Sequence, residues 1–370
     1  MVRPGWIDAG EAGGIQAALD ALPEHGGTVY VPAGRWEIDR TLEIALREGQ
    51  HLFLVGDGRA SVLVNTDTAG APLLSIVGAL GQWWPDLKIS IRDLTFVGNH
   101  ASGDALVVDH PNDTLVDACF FSGHGGAAIY FMRQGTNATV RDCWMRDCKR
   151  ALVAENLHHL TMHGNQTRSL ADGQIQAEHV YLDRNCREVR IVGNHLAYGH
   201  AEGIILDGTA QQVISGNTIE GFTKGIYALG CRDMVVSSNY FHGGVAVHLA
   251  GECHGFTISG NTMINAVDGA VVIEDASGSG GHVISSNVIR KSVYMGIVED
   301  KRQGGIVLGD ANNCVVSTNV LEDVTGPAIS GLHGGGHVVS GNRIVRCDSQ
   351  PVQIIPDDWC VISDNLSDRS

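Results

Sequence analysis

Hydrophobic and polar residues alternate in short stretches along most of the chain, and one phrase keeps returning. The stretch "VISGNTIEGF" (213–222) recurs in close variants such as "TISGNTMINA" and "VVSGNRIVRC". A loop then leads to a glycine and a second apolar stretch, as in "GIILDG" and "GIYALG". Because the alternation has a period of two and no helical period accompanies it, these stretches predict short β-strands.

The asparagine of this phrase recurs with a nearly constant spacing, in steps of 29, 23, 22, 22, 26, 32, 23 and 23 residues. Upstream, the same position holds Leu94, Cys119 and Cys143. A unit of three short strands cannot bury its own apolar face and must stack on its neighbours. The sequence therefore predicts an all-β, right-handed parallel β-helix of about a dozen coils. The recurring residues are Asn165, Asn194, Asn217, Asn239, Asn261, Asn287, Asn319, Asn342 and Asn365.

The recurring asparagine is expected at a sharp bend between two strands, where Asn tolerates left-handed backbone geometry. Cysteine in the same position indicates that the side chain points inward. Coils stacked about 4.8 Å apart would let the amides form an internal ladder. The alternative is a series of asparagine-rich surface turns.

The N-terminal residues have a different pattern, in which Ile15, Ala18, Leu19 and Leu22 lie on one face of a helix. Such a helix suits the cap that the first open coil of a solenoid requires. Strands "TVYV" and "RWEI" follow. The prediction is a single domain over residues 1–370, with the cap and first strands in 1–45 and coils in 46–370.

The segment "IQAALDAL…GGTVYVPAGRWEI", followed by "SGNTI"-type coils, resembles the pectate-lyase-like right-handed parallel β-helix superfamily. The resemblance covers essentially the whole chain. It implies a carbohydrate-active protein, since that superfamily includes pectate and alginate lyases, polygalacturonases, mannuronan C5-epimerases, inulin fructotransferases and phage tailspikes. It does not select one activity.

Composition narrows the function further. With 25 Lys and Arg against 41 Asp and Glu, the net charge of −16 disfavours nucleic acid and anionic membranes as partners. No apolar run is long enough to span a membrane, and the N-terminus has no secretory pattern. The nine scattered cysteines are expected to be reduced thiols in a cytoplasmic protein, or a secreted one if a signal peptide has been removed. No cofactor or metal is expected.

The second strand of each coil lines the saccharide groove in the superfamily that this chain resembles. Aligning these strands places Phe131 with Tyr181 and Tyr227 in one outward column. The column at the strand ends is expected to contain Asp109, Arg133, Glu155, Asp183, Asp207 and Leu229. Glu155, Asp183 and Asp207 are the predicted catalytic residues, because two nearby carboxyl groups serve glycoside hydrolysis. The alternatives are strand-end turn residues or a Ca²⁺ ladder.

Candidate residues for substrate binding lie beside this column and in the longest loops. Two coils are oversized, with extra residues in 168–179 and 291–303, and a further insertion contains two tryptophans. Irregular loops on a regular solenoid are usually functional. The predicted substrate-binding residues are Tyr181, Tyr227, Arg133, His179, His248, Arg168, Lys301, Arg302, Trp83 and Trp84.

Three functions follow from these residues. The first is a glycoside hydrolase or transglycosidase, such as the inulin-fructotransferase type, acting on an oligo- or polysaccharide with paired carboxylates. The second is a polysaccharide lyase or uronate C5-epimerase, for which the clustered basic residues and the Asp-Pro-His stretch are missing. The third is a non-catalytic glycan-binding or phage-spike-like β-helix. A homo-oligomer, as a trimer, is implied by the resemblance alone.

Overall fold

The computed structural model describes residues 5–79, 85–169, 178–199, 201–274, 278–293, 295, 304–355 and 359–368. These residues form two compact units, 1–190 and 191–370, which are described separately below. The chain is an all-β parallel β-solenoid of about 14 coils, as the sequence predicts. The proposed single domain stays a prediction. No helix among these residues has the length and apolar character needed to span a membrane.

The first unit begins with strand β1 (Ile7–Asp8) and helix α1 (Ile15–Asp20), whose Ile15, Ala18 and Leu19 are buried. The helix packs on β2 and β4, as expected for a cap. The strands that follow are β2 (Gly26–Val31), β3 (Gly34–Ile38), β4 (Leu42–Ala45), β5 (His51–Gly56), β6 (Ser61–Asn65), β7 (Leu74–Val77), β8 (Ile89–Arg92), β9 (Thr95–Val97), β10 (Leu106–Asp109), β11 (Asn112–Asp117), β12 (Phe120–Ser122), β13 (Ala127–Met132), β14 (Gly135–Arg141), β15 (Trp144–Arg146), β16 (Arg150–Ala154), β17 (Leu157–His163), β18 (Gln166–Arg168) and β19 (Val180–Leu182).

Strand β20 (Arg190–Val192) lies at the boundary, and the second unit continues with the same three-strand coil. Its strands are β21 (His195–Ala197), β22 (Glu202–Asp207), β23 (Val213–Ser215), β24 (Thr218–Glu220), β25 (Lys224–Leu229), β26 (Val235–Ser237), β27 (Tyr240–His242), β28 (Val245–Ala250), β29 (Thr257–Ser259), β30 (Thr262–Val267), β31 (Val271–Ile273), β32 (Val283–Ser285), β33 (Val288–Val293), β34 (Ile306–Val307), β35 (Val315–Ser317), β36 (Val320–Val324), β37 (Ile329–Leu332), β38 (Val338–Ser340), β39 (Arg343–Cys347), β40 (Val352–Ile355), β41 (Val361–Ser363) and β42 (Leu366–Asp368).

In each unit every third strand joins the same parallel sheet, so three sheets, A, B and C, enclose the core. In the first unit sheet A contains β2, β5, β8, β11, β14 and β17, sheet B contains β3 to β18 at the same interval, and sheet C contains β4 to β19. In the second unit sheet A runs from β23 to β41, sheet B from β21 to β42 and sheet C from β22 to β40. Aliphatic and aromatic side chains stack inside, as the rings of Phe96 and Phe121 do at 4.8 Å.

The predicted asparagine ladder is present between sheets A and B. In the second unit the Oδ1 of Asn261 accepts from both the backbone N–H and the amide of Asn239, at 3.0 Å each. The amide of Asn261 donates to the carbonyl of Val236 at 2.9 Å. In the first unit Cys143 takes the same position, because its N–H donates to Asn165 Oδ1 at 3.0 Å.

One detail of the prediction was wrong. The left-handed residue is the one before the asparagine, as at Gly216 (φ 65°), Ser238 (φ 56°) and Gly260 (φ 65°). The asparagines that follow them, such as Asn217 and Asn239, are not in this conformation. Asparagine is therefore required for its buried amide and not for its backbone freedom.

Candidate active site on the outward face of sheet C

In the first unit, neighbouring strands of sheet C bring alternate side chains into rows on the outward face. Val107 pairs in register with Tyr130, Tyr130 with Val153, and Val153 with Tyr181. A second row at the strand ends begins with Asp109 opposite Met132. It continues with Glu155 and Asp183, whose backbone N–H groups donate to the preceding strands, to Phe131 O at 3.0 Å and Ala154 O at 3.1 Å.

The predicted alignment was therefore one residue off in β13. Phe131 is fully buried and points to the core, whereas Tyr130 takes the outward position. Arg133 follows β13 and is exposed, and its guanidinium lies 2.9 Å from Asp109. The stretch "AAIYFM" has apolar residues at both parities, so the alternation could not distinguish its two faces.

Tyr130 and Glu155 are joined by a hydrogen bond, in which the phenol hydroxyl donates to Glu155 Oε1. Burial and the adjacent Glu155 raise the pKa of Tyr130 well above its ordinary value, with further contributions from Asp104 and Asp183. The phenol therefore stays protonated at neutral pH and acts as a donor. Its environment includes the three carboxyl groups of Glu155, Asp104 and Asp183.

Asp104 was not predicted as a site residue. It lies just before β10, and its Oδ1 accepts from the N–H of Ala127 at 2.6 Å. Burial raises the pKa of Asp104, although the Ala127 hydrogen bond and the charges of Arg150 and Lys149 act in the opposite direction. No alternation marks the position, because it precedes the strand; only its place after a glycine, in "SGDALVV", hints at it.

Asp183 has a local structural role as well. Its Oδ1 accepts from the backbone N–H of Asn156 at 2.8 Å, and the thiol of Cys186 lies 3.7 Å away. This is the strand-end role that was the alternative for each predicted carboxylate. Asp183 is only half-buried, and its charge reaches Tyr130.

At the start of strand β16, the guanidinium of Arg150 lies between a carboxyl group and an aromatic ring. The guanidinium of Arg150 lies 2.5 Å from Glu178 Oε1 and 5.7 Å from the centre of the Tyr181 ring. One face of Tyr181 is therefore occupied by Arg150.

Other predicted binding residues of this unit lie elsewhere. His179 is buried, its Nδ1 is 2.6 Å from the hydroxyl of Thr167, and burial lowers its pKa to about 4. A histidine in this position packs inside and does not line a groove. Arg168 is exposed on β18 of sheet B. Trp83, Trp84, Lys301 and Arg302 lie outside the described residues.

In the second unit the same rows contain different chemistry. Ile205, Tyr227, His248 and Val272 are paired in register, and Asp207 pairs with Leu229. The rings of Tyr227 and His248 meet edge to face, with centres 5.3 Å apart. The three predicted catalytic carboxylates therefore divide between the units, with Glu155 and Asp183 in the first.

Charged groups surround this ring pair. The ammonium of Lys224 lies 4.0 Å from the centre of the Tyr227 ring and 3.3 Å from Glu202. Burial, followed by Glu274 and Glu202, raises the pKa of Tyr227. Burial and then Lys224 lower the pKa of His248, and the Glu274 carboxylate lies 2.7 Å from its Nε2.

The comparisons with known proteins identify a family and a fold. Residues 86–252 and 171–304 match the profile described as "NosD: Periplasmic copper-binding protein (NosD)". Together the matches span 86–304, which is 219 of 370 residues and more than half of the chain. This description does not support the predicted cytoplasmic location. No curated protein has a sequence that matches this one.

Three solved structures have this fold at low sequence identity. The mannuronan C-5 epimerase AlgE6 A-module of Azotobacter vinelandii is 16% identical, with a TM-score of 0.61 over 99% of this chain and 97% of its own. The DFA-IIIase from Arthrobacter chlorophenolicus A6 in complex with GF2 is 13% identical, with a TM-score of 0.55 over 94% and 88%. The surface protein and adhesin PfbA of Streptococcus pneumoniae is 12% identical, with a TM-score of 0.51 over 98% and 99%.

Copper, which the family description names, binds best to imidazole nitrogen and to thiolate or thioether sulfur. Within the ranges that the structure describes, no three His, Cys, Asp or Glu residues are grouped closely enough to hold a metal. Burial also raises the pKa of the thiols of Cys148, Cys186 and Cys253 to about 12. A protonated buried thiol is a poor ligand, so these residues do not fit a copper centre.

Proposed function

The chain belongs to the NosD family, and from the geometry of its sheet C we propose that it is a carbohydrate-active enzyme. It cleaves or rearranges glycosidic bonds of an oligo- or polysaccharide bound along sheet C of the first unit. The observation that carries the proposal is the Tyr130–Glu155 hydrogen bond, set among the carboxyl groups of Asp104 and Asp183. The fold shared with a DFA-IIIase bound to GF2 supports it.

Glycoside chemistry needs one carboxyl group that donates a proton and one that attacks or activates water. Asp104, whose pKa burial raises, is the proposed general acid. It protonates the glycosidic oxygen as the bond to the anomeric carbon breaks. Glu155, oriented by Tyr130, either attacks the anomeric carbon or takes a proton from the attacking species. Asp183 is the alternative partner of Glu155, as the sequence predicted.

A second candidate activity is uronate lyase or C5-epimerase chemistry in the second unit. That reaction removes the proton at C5 and needs a cation to stabilise the charge that develops on the substrate carboxylate. Lys224 supplies a cation above Tyr227, and His248 and Tyr227 are an adjacent base and acid. This arrangement favours the candidate even though the sequence lacks the clustered basic residues of lyases.

We also propose that the protein acts in the periplasm, following the family description. A periplasmic enzyme has access to extracellular and cell-envelope glycans. The nine cysteines are unpaired, and seven of them are buried. Burial protects these thiols from the oxidising conditions of that compartment.

The test is incubation with neutral and uronate polysaccharides, followed by mass spectrometry of the products. Products heavier by one water indicate hydrolysis, and products without added water or unsaturation indicate an intramolecular transglycosidase. Unsaturated products, which absorb in the ultraviolet, would move the activity to the second candidate. If no substrate changes in mass, and NMR shows no inversion at C5 of the uronates, while glycans bind, the adhesin-like, non-catalytic alternative replaces both.

Two pairs of variants assign the site. In the first unit Glu155→Gln and Tyr130→Phe remove the proposed nucleophile or base and its donor. In the second, Glu274→Gln and Tyr227→Phe make the same changes in the His248 environment. Loss of activity with the first pair alone supports the proposal, and loss with the second pair alone contradicts it.

A further inference from the structure

A polar groove lies on the outward face of sheet A in the first unit, on a different sheet from the proposed active site. It is formed by residues that four successive coils contribute near the start of the sheet A strands. The lining residues are Asp113, Asn137, Thr139, His159, Thr161, Glu188 and Arg190.

The wall of the groove is a column of left-handed residues that interrupt the strand ladder at the same point in each coil. Asn112 pairs with Thr136 and Thr114 with Ala138, so Asp113 and Asn137 are left out of the ladder between them. The next pair of strands omits His159 in the same way, and Glu188 follows the bridge between His158 and Arg187. The residues left out project from the sheet as successive polar groups.

The floor is formed by the neighbouring row of side chains. Thr139 and Thr161 are paired in register on β14 and β17, one coil apart. Coils stack at about 4.8 Å, so the two hydroxyls repeat at a distance comparable with the length of one sugar ring. Each hydroxyl both donates and accepts, as sugar hydroxyls do.

The charges of the wall are paired. The ammonium of Lys88 lies 2.9 Å from Asp113 Oδ2, and His159 Nδ1 lies 2.9 Å from Glu188 Oε2. With Arg190 also in its lining, the groove therefore offers hydroxyl and amide groups and charges of both signs instead of a field of one sign. Such a surface is complementary to a neutral ligand rich in hydroxyl groups.

The backbone of the wall is costly for the residues that occupy it. Asn137, His159 and Glu188 have φ values of 56°, 57° and 56°, a left-handed conformation that is strained for residues with a side chain. In the second unit the corresponding column contains Gln211, Asp233 and Asn313 as well as Gly255 and Gly281, all with positive φ. The left-handed backbone is therefore shared by both units, and the groove differs by the side chains that line it.

We propose that this groove is a second saccharide site, which binds a neutral oligosaccharide chain along the coils without cleaving it. The site lies outside the proposed catalytic residues. It would hold a polymeric substrate on the protein while sheet C acts on another part of the same chain. Its existence does not depend on the chemistry at sheet C.

The experiment is titration calorimetry with neutral hexasaccharides of glucose (α-1,4, β-1,3 and β-1,4 linked) and an inulin-type fructan. It uses the full chain with Glu155→Gln to prevent turnover. Adding Thr139→Val and Thr161→Val removes two hydroxyls while preserving shape and strand propensity, and we expect the Kd to rise at least tenfold. Thr257→Val, on sheet A of the second unit, is the matched control and leaves the Kd unchanged.

A second variant guards against an effect on folding. His159→Gly removes the wall side chain and relieves its left-handed backbone, so we expect Tm to be unchanged or higher while the Kd rises. Equal binding by the threonine variant and its parent, or no binding of any saccharide by the parent, overturns the groove proposal. Turnover by the unmodified chain is scored separately, so failure of the groove and failure of the proposed catalytic function are distinguishable.

Discussion

The two units use one coil design inside and carry different chemistry outside. Between sheets A and B, the first unit has Cys119 and Cys143 at the ladder position, whereas the second has asparagine in every coil. On sheet C the first unit presents a phenol among carboxyl groups, and the second presents Tyr227 against His248. The inward positions are dictated by stacking, while the outward positions are free to acquire function.

The ladder position shows how strongly stacking restricts the choice of residue. Within the buried corner, Asn261 forms hydrogen bonds with the backbone N–H and the side-chain amide of Asn239, with the amide oxygen of Asn287 and with the carbonyl of Val236. Cys143 makes only weak thiol contacts there, 3.2 Å from the carbonyl of Arg141. Buried polar groups left without partners cost about 1–3 kcal/mol each. The ladder position therefore contributes more to the stability of the second unit than to that of the first.

The largest difference between the units is expected in catalysis. Glu155→Gln in the first unit should lower kcat by about 10²–10⁴-fold, because it removes a carboxylate that takes part in proton transfer or attack. Glu274→Gln, the matched change in the second unit, should leave kcat within a few fold. Initial rates on the glycan identified by mass spectrometry measure both. The opposite ranking would place the active site at His248.

A smaller difference is expected in stability. Asn261→Ala breaks the ladder in the second unit and should lower the free energy of unfolding by about 2–4 kcal/mol, since it leaves buried partners unsatisfied. Cys143→Ala at the same position in the first unit should cost about 1 kcal/mol. Urea titrations of both variants measure this. Equal losses would show that the amide hydrogen bonds contribute little beyond packing.

The smallest of the three effects concerns pH. In the second unit His282 Nδ1 accepts from the N–H of Phe256 at 3.2 Å, its Nε2 lies 3.1 Å from Ser279, and burial lowers its pKa to about 4. The unfolded state takes up a proton near pH 6.5, before the folded state does. The contribution of His282 to stability should therefore be constant above pH 6.5 and fall by about 2–3 kcal/mol from there to pH 4.

The pH effect has a matched control. His282→Gln preserves an acceptor but cannot be protonated, so its urea midpoint should change less between pH 6.5 and pH 4. Buried His124, His179 and His248, whose pKa values are also about 4, should leave a residual pH dependence in this variant. A variant with the full pH dependence of the parent would contradict the assignment to His282.

The fold was predictable because stacking repeats the same demand in every coil. The spacing of the asparagines and the amphipathic residues of α1 both report inward positions, where burial restricts the choice of residue. The site was less predictable, for reasons seen at particular residues. Tyr130 could not be separated from Phe131 in a stretch apolar on both faces, and Asp104 precedes its strand. His179 resembles a groove residue in sequence but is buried against Thr167.

The regular corner at Asn217, Asn239 and Asn261 makes the length of the second unit adjustable in whole steps. Each step is 22 residues, and each coil bonds to the next by the same contacts. Deleting residues 217–238 would place Asn194 against Asn239, and duplicating them would add one asparagine to the ladder. In both cases asparagine meets asparagine, and no new surface forms inside. A gene encoding such coils can grow by tandem duplication of one coil, or shrink by its deletion, without passing through an unfoldable intermediate. Evolution can therefore lengthen or shorten the second unit by one coil at a time, while the outward residues of each new coil are free to diverge.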